Sequence, residues 1–230
     1  VEKIIQRISG KKEFKLSNEV PISYVLRKAF FYSLGLLRGI VRGVGLKKAG
    51  KKLFIGSKVE LLNKSKIVTG DYVRIEKNVS IDALSRDGVE LGNRVKIGDN
   101  SKISCSGSLS NIGKGVKVGN DSSFAENTFF GASGGIIIGN DVISGQNVRF
   151  HAENHNFIDR EILIRKQGVN RKGIEVSDDV WIGSGVVFLD GAKVGKGSVV
   201  AANSVVTKKF PEYAIIGGTP AKIIKLRKEN

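Results

Sequence analysis

From Val176 onward an aliphatic or large apolar residue returns at every sixth position: Val176, Ile182, Phe188, Val194, Val200 and Val206. A small residue usually follows it, as at Ser177, Gly183, Gly195, Ala201 and Thr207. A second small or aliphatic residue falls four places after it, at Val180, Val186, Ala192, Ser198 and Ser204. An α-helix cannot hold a six-residue repeat on one face, because 3.6 residues per turn drifts out of step with it. The strands of a β-sandwich do not repeat every six residues either. A β-solenoid does: each six supplies one flat face and one corner, and roughly three sixes close a triangular coil. The repeat predicts an all-β parallel β-helix with the recurring apolar residues inside.

The same register runs backwards through Ser144-Gly145, Ile138-Gly139, Val118-Gly119, Ile112-Gly113, Ile97-Gly98 and Leu91-Gly92, and more loosely through Ile75-Glu76 and Ile55-Gly56. It slips near 82–88, 104–110 and 130–136, where Gly and Ser collect, and these stretches read as loops or irregular rungs. It is lost after His151-Ala-Glu-Asn-His155 and resumes at Ile174. The chain thus divides into a basic, partly helical segment (1–52), a β-helix (53–207) with a protruding loop (156–173), and a short basic extension (208–230).

Charge is concentrated at the front. The formal net charge is +16, and residues 1–52 hold thirteen Lys or Arg against three Glu. Such asymmetry points to an anionic partner. The segment has no nucleic-acid-binding motif, which argues against nucleic acid. Within it, residues 20–46 read as an amphipathic helix with Arg27, Lys28, Arg38 and Arg42 on one side and Leu26, Phe30, Leu34, Leu37, Val41 and Val44 over the rest. The uncharged run Ala29 to Leu37 is too short to span a bilayer. Two roles stay open: an interfacial anchor on anionic lipid, or a helix packing its apolar face on the end of the β-helix or on another subunit. Gly35, Gly39, Gly43 and Gly45 weaken the helix reading itself. Cys105 is the only cysteine, so no intrachain disulfide forms; a reducing compartment such as the cytoplasm is expected. Its predicted role is that of a small apolar filler.

The chemistry candidates cluster at the interruption. The only histidines, His151 and His155, stand at its mouth. A neutral imidazole near pH 7 can take a proton from a hydroxyl as that oxygen attacks, with Glu153 or Asp159 placed to orient the ring. Two histidines and one cysteine are too few for the zinc site that some β-helices carry, so no metal is expected.

At this point a resemblance carries further. Asn147-Val-Arg-Phe-His-Ala-Glu-Asn-His155, Gln167-Gly-Val-Asn-Arg-Lys-Gly-Ile174, Asp179-Val-Trp-Ile-Gly-Ser184, Ala202-Asn-Ser-Val-Val-Thr-Lys208 and Gly217-Gly-Thr-Pro-Ala-Lys222 resemble the hexapeptide-repeat acetyltransferases. The likeness is to the maltose and galactoside acetyltransferase branch, and within it to bacterial polysaccharide O-acetyltransferases. It implies a left-handed coil, a homotrimer, and acetyl-CoA bound between neighbouring subunits. It further implies His155 as catalytic base and Ser184 beside the thioester carbonyl. Trp181, Gly183 and Ala202 fall along the pantetheine arm, and Thr207, Lys208, Lys222 and Lys225 near the nucleotide phosphates. Lys222 and Lys225 stand where the sugar acetyltransferases often have Arg. His151 and Asn127 are candidates for acceptor contact.

The implied reaction is direct O-acetylation of a surface polysaccharide, lipid-linked glycan or sugar precursor, with peripheral contact at the inner face of the cytoplasmic membrane through 20–46. Alternatives are N-acetylation of an amino sugar, a non-catalytic scaffold for glycan assembly, acyl transfer from acyl carrier protein, and acetylation of a streptogramin-like antibiotic.

Overall fold

The computed structural model describes residue 6 and residues 15–228. The repeat winds into a left-handed parallel β-helix whose three faces are parallel sheets. The first face stacks Phe54–Ile55, Arg74–Ile75, Lys96–Ile97, Ser123–Phe124, Ile143–Ser144, Trp181–Ile182, Val199–Val200 and Ala214–Gly218. Its last strand, Ala221–Leu226, turns back antiparallel. The second face runs from Glu60–Leu62 to Val205–Val206, and the third from Ile67–Thr69 to Lys209–Phe210.

Two of the three corners are invariant in length. From the first face to the second the count is always six residues, from Phe54 to Glu60 in the first coil and from Trp181 to Val187 in the sixth. From the third face to the first it is always five, as from Thr69 to Arg74 or Val176 to Trp181. Each of these corners is turned by a residue in the left-handed region. Lys52, Tyr72, Arg94, Asp121, Asp141, Asp179, Gly197 and Tyr213 form one column, and Lys58, Asn78, Asn100, Asn127, Asn147, Gly185 and Asn203 the other. Asn, Asp and Gly dominate because they tolerate positive φ best.

All variation in coil length therefore falls at the corner between the second and third faces. Trp181 pairs with Val199, eighteen residues on, but Ser123 pairs with Ile143, Lys96 with Ser123, and Ile143 with Trp181. The extra residues include the segment around 106–112 and the 156–173 loop. The slips expected near 82–88, 104–110 and 130–136 lie at this corner. Ile112 proves not to be an inward residue: it is exposed, and Val116 and Val118 fill the third face instead.

Inside, the recurring residues form one continuous core. Phe130, Phe150 and Phe188 stack face to face on the second face, with centroids 5.0 and 4.8 Å apart, and Phe124 meets Phe130 edge-on. That spacing is the inter-strand distance of a sheet, so residues repeated in register must stack. Pairing continues past 207: Lys209–Phe210 joins Lys193–Val194, and Ala214–Gly218 joins Val199–Val200.

Helix α1, Ile22–Gly43, closes the other end. The glycines that weaken its prediction are its packing face. Gly35 and Gly39 are its buried residues; a Cβ on the first would meet the Phe54 ring at 2.1 Å, and one on the second the Leu53 carbonyl at 1.8 Å. Tyr32 stacks on Phe54 at 5.2 Å. Of the two roles left open, packing on the end of the β-helix is realised, but the close approach is made by glycine with Tyr32 beside it, and most of the large apolar side chains stay outside.

Replacing Phe150 by Ala removes the middle ring of the stack. It should cost about 3–5 kcal/mol of stability, measured by chemical denaturation, because the rigid coil on either side cannot collapse into the void.

Candidate functional site

The 156–173 loop is the tip of a hairpin. Asn154–His155 pairs antiparallel with Val169–Asn170, placing His155 opposite Val169 on an exposed strand. Gln167 holds the tip together: its Nε2 donates to the carbonyls of Asp159 and Ile162, both at 2.7 Å. The base is clamped twice. Arg171 Nε donates to Glu153 Oε2 at 2.6 Å, and its other nitrogens reach Asn111 Oδ1 and the Asn111 carbonyl. Buried Asp190 accepts the backbone N–H groups of Lys172 and Gly173, with its nearest contact at 2.7 Å. Both carboxylates named as partners for the imidazole are engaged elsewhere: Glu153 by Arg171, and Asp159 by the N–H groups of Glu161 and Ile162. Phe157, Ile158, Ile162, Leu163 and Ile164 stand exposed at the tip.

His151 lies four residues earlier, half-buried on the outer side of the second face. Its ring is tilted against Phe129 at 5.5 Å. Burial, with a smaller contribution from the Arg149 charge, holds its pKa below the ordinary 6.5. Cys105 is fully buried between coils, and burial pushes its thiol up to about 12, so it is inert as a nucleophile.

The remaining candidates sit on the first face. Alternation along each strand puts Ile143, Trp181, Val199 and Ile215 in one outward column. Trp181 is 57 % exposed, and a cleft of about 310 Å³ opens beside it, lined by Asp141, Ile143, Asp179, Ser198, Val199 and Arg227. Two residues along each strand runs a second column, Gly145, Gly183, Ala201 and Gly217, aligned by the bonds Gly145 N to Ile182 O, Gly183 N to Val200 O and Ala201 N to Ile216 O. None of the four carries a side chain longer than a methyl, and the neighbours over the column's ends are the Ser184 hydroxyl at Gly145 and Ile224 at Gly217. The column ends opposite Lys222. A register shift in the antiparallel pair places Lys222 opposite Gly217 and Lys225 opposite Ile215, so both lysines share the outer face. Without it, three residues of separation would put them on opposite faces. Gly183 has a second reason to be glycine, since a Cβ would lie 2.5 Å from the Ala202 nitrogen of the next coil.

Ser184 follows at the adjoining corner, where its Oγ donates to Gln146 Oε1 at 3.0 Å. Ala202, Thr207 and Lys208 are exposed, the last with its ammonium 5.8 Å from the Phe210 ring. Asn127 is an exposed corner residue with φ 60°, conformationally equivalent to Asn147 and Asn203. Within one protomer these residues and His155 are not brought together. Ser184 and the small-residue column border the first face, whereas His155 leaves from the corner opposite it. Among the described residues no three His, Cys, Asp or Glu side chains converge to hold a metal.

The sequence assigns no individual role to Gly145, Gly217, Gln146, Arg171 or Asp190. Gly145 was readable from the six-residue register; Gly217 lies beyond it, and the three polar residues gain partners only when the coils stack.

The family model for bacterial transferase hexapeptide (six repeats) matches residues 173–208. That stretch carries the six-residue repeat of the hexapeptide transferases. Among proteins of this kind the chain is 31% identical over 162 residues to a probable acetyltransferase of Mycobacterium tuberculosis, covering 70% of this chain and 52% of that protein. It is 36% identical over 89 residues to a galactoside O-acetyltransferase of Lactococcus lactis, covering 38% of this chain and 42% of that one. The chain thus spans about half or less of these relatives. In fold it is similar to AntD, an N-acyltransferase from Bacillus cereus solved with dTDP and 3-hydroxybutyryl-CoA. The TM-score is 0.56 at 18% identity, over 83% of this chain and 88% of that one.

The lowered His151 pKa has a pH consequence. Above about 6.5 the ring is neutral folded or unfolded and costs nothing. As pH falls below that value the unfolded chain takes up the proton more readily, so stability drops until the folded ring also protonates. A titration of the imidazole C–H chemical shifts should find the His151 midpoint below 6.5.

Proposed function

We propose that this chain is an acetyl-CoA-dependent acetyltransferase that works as a homotrimer on a hydroxyl of a sugar or glycan. The observation that carries the reading is the Gly145–Gly183–Ala201–Gly217 column, walled by Trp181 and ending under Lys222 and Lys225. A column of minimal side chains, bordered by the Ser184 hydroxyl over Gly145 and by Ile224 over Gly217, lets an extended, thin ligand approach backbone at Gly183 and Ala201, and a pair of cations at its end suits phosphate. The pantetheine arm and the nucleotide of CoA have that sequence of chemistry. Ammonium groups act here as point charges, without the bidentate fork of Arg.

His155 acts as general base. Its imidazole takes the proton of the acceptor hydroxyl while that oxygen attacks the thioester carbonyl, and returns a proton to the departing thiolate. The oxyanion of the tetrahedral intermediate lies beside Ser184. Its hydroxyl hydrogen turns from Gln146 toward the oxyanion, or stays free once the Gln146 amide flips to donate instead. Bringing both reactants into one cleft supplies much of the rate, so no acyl-enzyme is required.

A second copy completes the site. His155 and the track lie on opposite sides of one prism, so the imidazole that meets a given track comes from a neighbouring chain. The exposed apolar tip, Phe157, Ile158 and Ile162 to Ile164, is suited to rest on that neighbour.

A coenzyme A release assay over a panel of sugars, amino sugars and glycan precursors tests the reading. His155→Ala should lower transfer at least about 100-fold and leave CoA binding intact. Undiminished turnover in that variant would exclude the imidazole as base, and a scaffold would show no turnover at all. The panel separates hydroxyl from amino acceptors. Ala201→Leu, which fills the column while leaving the backbone bonds of the corner in place, should weaken CoA binding about 10-fold or more with an unchanged melting temperature. Equal binding would move the donor elsewhere on the surface.

A further inference from the structure

Helix α1 is built inside out. Viewed down its axis at 100° per residue, the packed arc centres on Gly35, Gly39, Tyr32 and Gly43. The opposite arc, about 120° wide, holds Ile22, Leu26, Phe30, Leu34, Leu37, Ile40, Val41 and Val44 with Ser23 and Ser33, and not one charge. Most of these side chains face solvent: Phe30 is 62 % exposed, Ile40 73 % and Val44 73 %. The stripe runs the length of a 22-residue helix, about 33 Å at 1.5 Å per residue. An apolar hollow of about 410 Å³ between the helix and the first coil, lined by Leu36, Ile40, Val44, Ala49 and Leu53, extends it sideways.

Arg27 and Arg38 line one margin of the stripe, and Lys47, Lys48, Lys51 and Lys52 follow directly after the helix. The helix is held rigidly in this pose. Arg42 donates to the Val59 carbonyl, and Lys64 Nζ donates to the carbonyls of Arg42 and Val44 at 2.8 and 3.0 Å, at the negative end of the helix dipole. It cannot roll its apolar side inward, because only glycine fits against Leu53 and Phe54.

A continuous apolar face of this size on a monomer demands a partner. No described helix is long and apolar enough to cross a membrane. A second copy laid face to face would press one basic segment on another, nine Lys and Arg against one Glu in each 15–52 stretch. A surface that is apolar beneath and anionic above answers both the stripe and its margin.

We propose that the outward face of α1 docks flat on an anionic lipid surface, with Phe30, Leu37, Ile40 and Val41 entering the acyl boundary and the flanking arginines and lysines meeting lipid phosphates. The β-helix then stands off the membrane at its N-terminal end. This inference does not rest on the catalytic reading, and the two can fail separately.

The test is cosedimentation of the full chain with vesicles of phosphatidylglycerol and phosphatidylcholine, and with phosphatidylcholine alone, at low and high salt. Sedimentation velocity of the free protein is measured in parallel. The expected result is binding to the anionic vesicles, at least 10-fold weaker to the zwitterionic ones and weakened by salt. The double variant Phe30→Ser with Leu37→Ser, and separately Arg27→Glu with Arg38→Glu, should each reduce binding at least 10-fold. Their mass in solution and their melting temperature should not change, and neither should transfer to a soluble acceptor. Failure of the wild-type chain to bind anionic vesicles overturns the proposal. So does a loss of oligomeric mass in the Phe30→Ser, Leu37→Ser variant, which would mean that the stripe is buried between copies.

Discussion

The structure depends on one requirement: each coil must lie on the one before it in register, about 4.8 Å away, so that every strand finds its hydrogen-bond partners. Two corners meet it by fixed count, six residues and five, each turned by a column of residues at positive φ, most of them Asn, Asp or Gly. Once the corners agree, side chains have no choice of neighbour. Ile stacks on Ile, Phe150 is sandwiched between Phe130 and Phe188, and Ala132 and Ala152 fill the narrow corner beside Cys105. Both ends need covering, since an open coil offers unpaired strand edges to other chains. Helix α1 covers one, and the reversed strand Ala221–Leu226 flanks the last rungs at the other.

The same requirement divides the surface into a rigid part and an adjustable one. The first face, with Trp181 and the column of small residues, is set by coil stacking and offers little freedom. The hairpin bearing His155 hangs from the only corner whose length varies, and is pinned at its root by Arg171 with Glu153 and by Asp190 beneath Lys172 and Gly173. A ligand shared between copies would meet a fixed floor on one chain and a loop on the other.

How much of this the sequence reveals follows from the range of the interactions involved. The coil and its interior were readable because a period of six is a local property, visible in Val176, Ile182 and Phe188 without any knowledge of partners. Of the small-residue column only Gly183 was singled out, because the column as a whole is defined by how the coils stack. Helix α1 was misjudged in one respect. Gly35 and Gly39 count against a helix by propensity, yet Leu53 and Phe54 make them the only residues that fit there. Ile112 looked inward by spacing alone and lies instead where the chain leaves the coil. Glu153 and Asp159 were reasonable partners for an imidazole by proximity in sequence, but Arg171 and the turn at Glu161 claim them.

Confining every change of length to a single edge of the prism has a consequence for how such chains diversify. Segments can be lengthened, shortened or exchanged there while the hydrophobic column and both turning edges stay untouched, much as tools are swapped on a common handle. A transplant between Ala152 and Ile174 would need to preserve only its two roots, the Glu153–Arg171 ion pair and the carboxylate of Asp190, to seat a different acceptor-facing segment on the same spine.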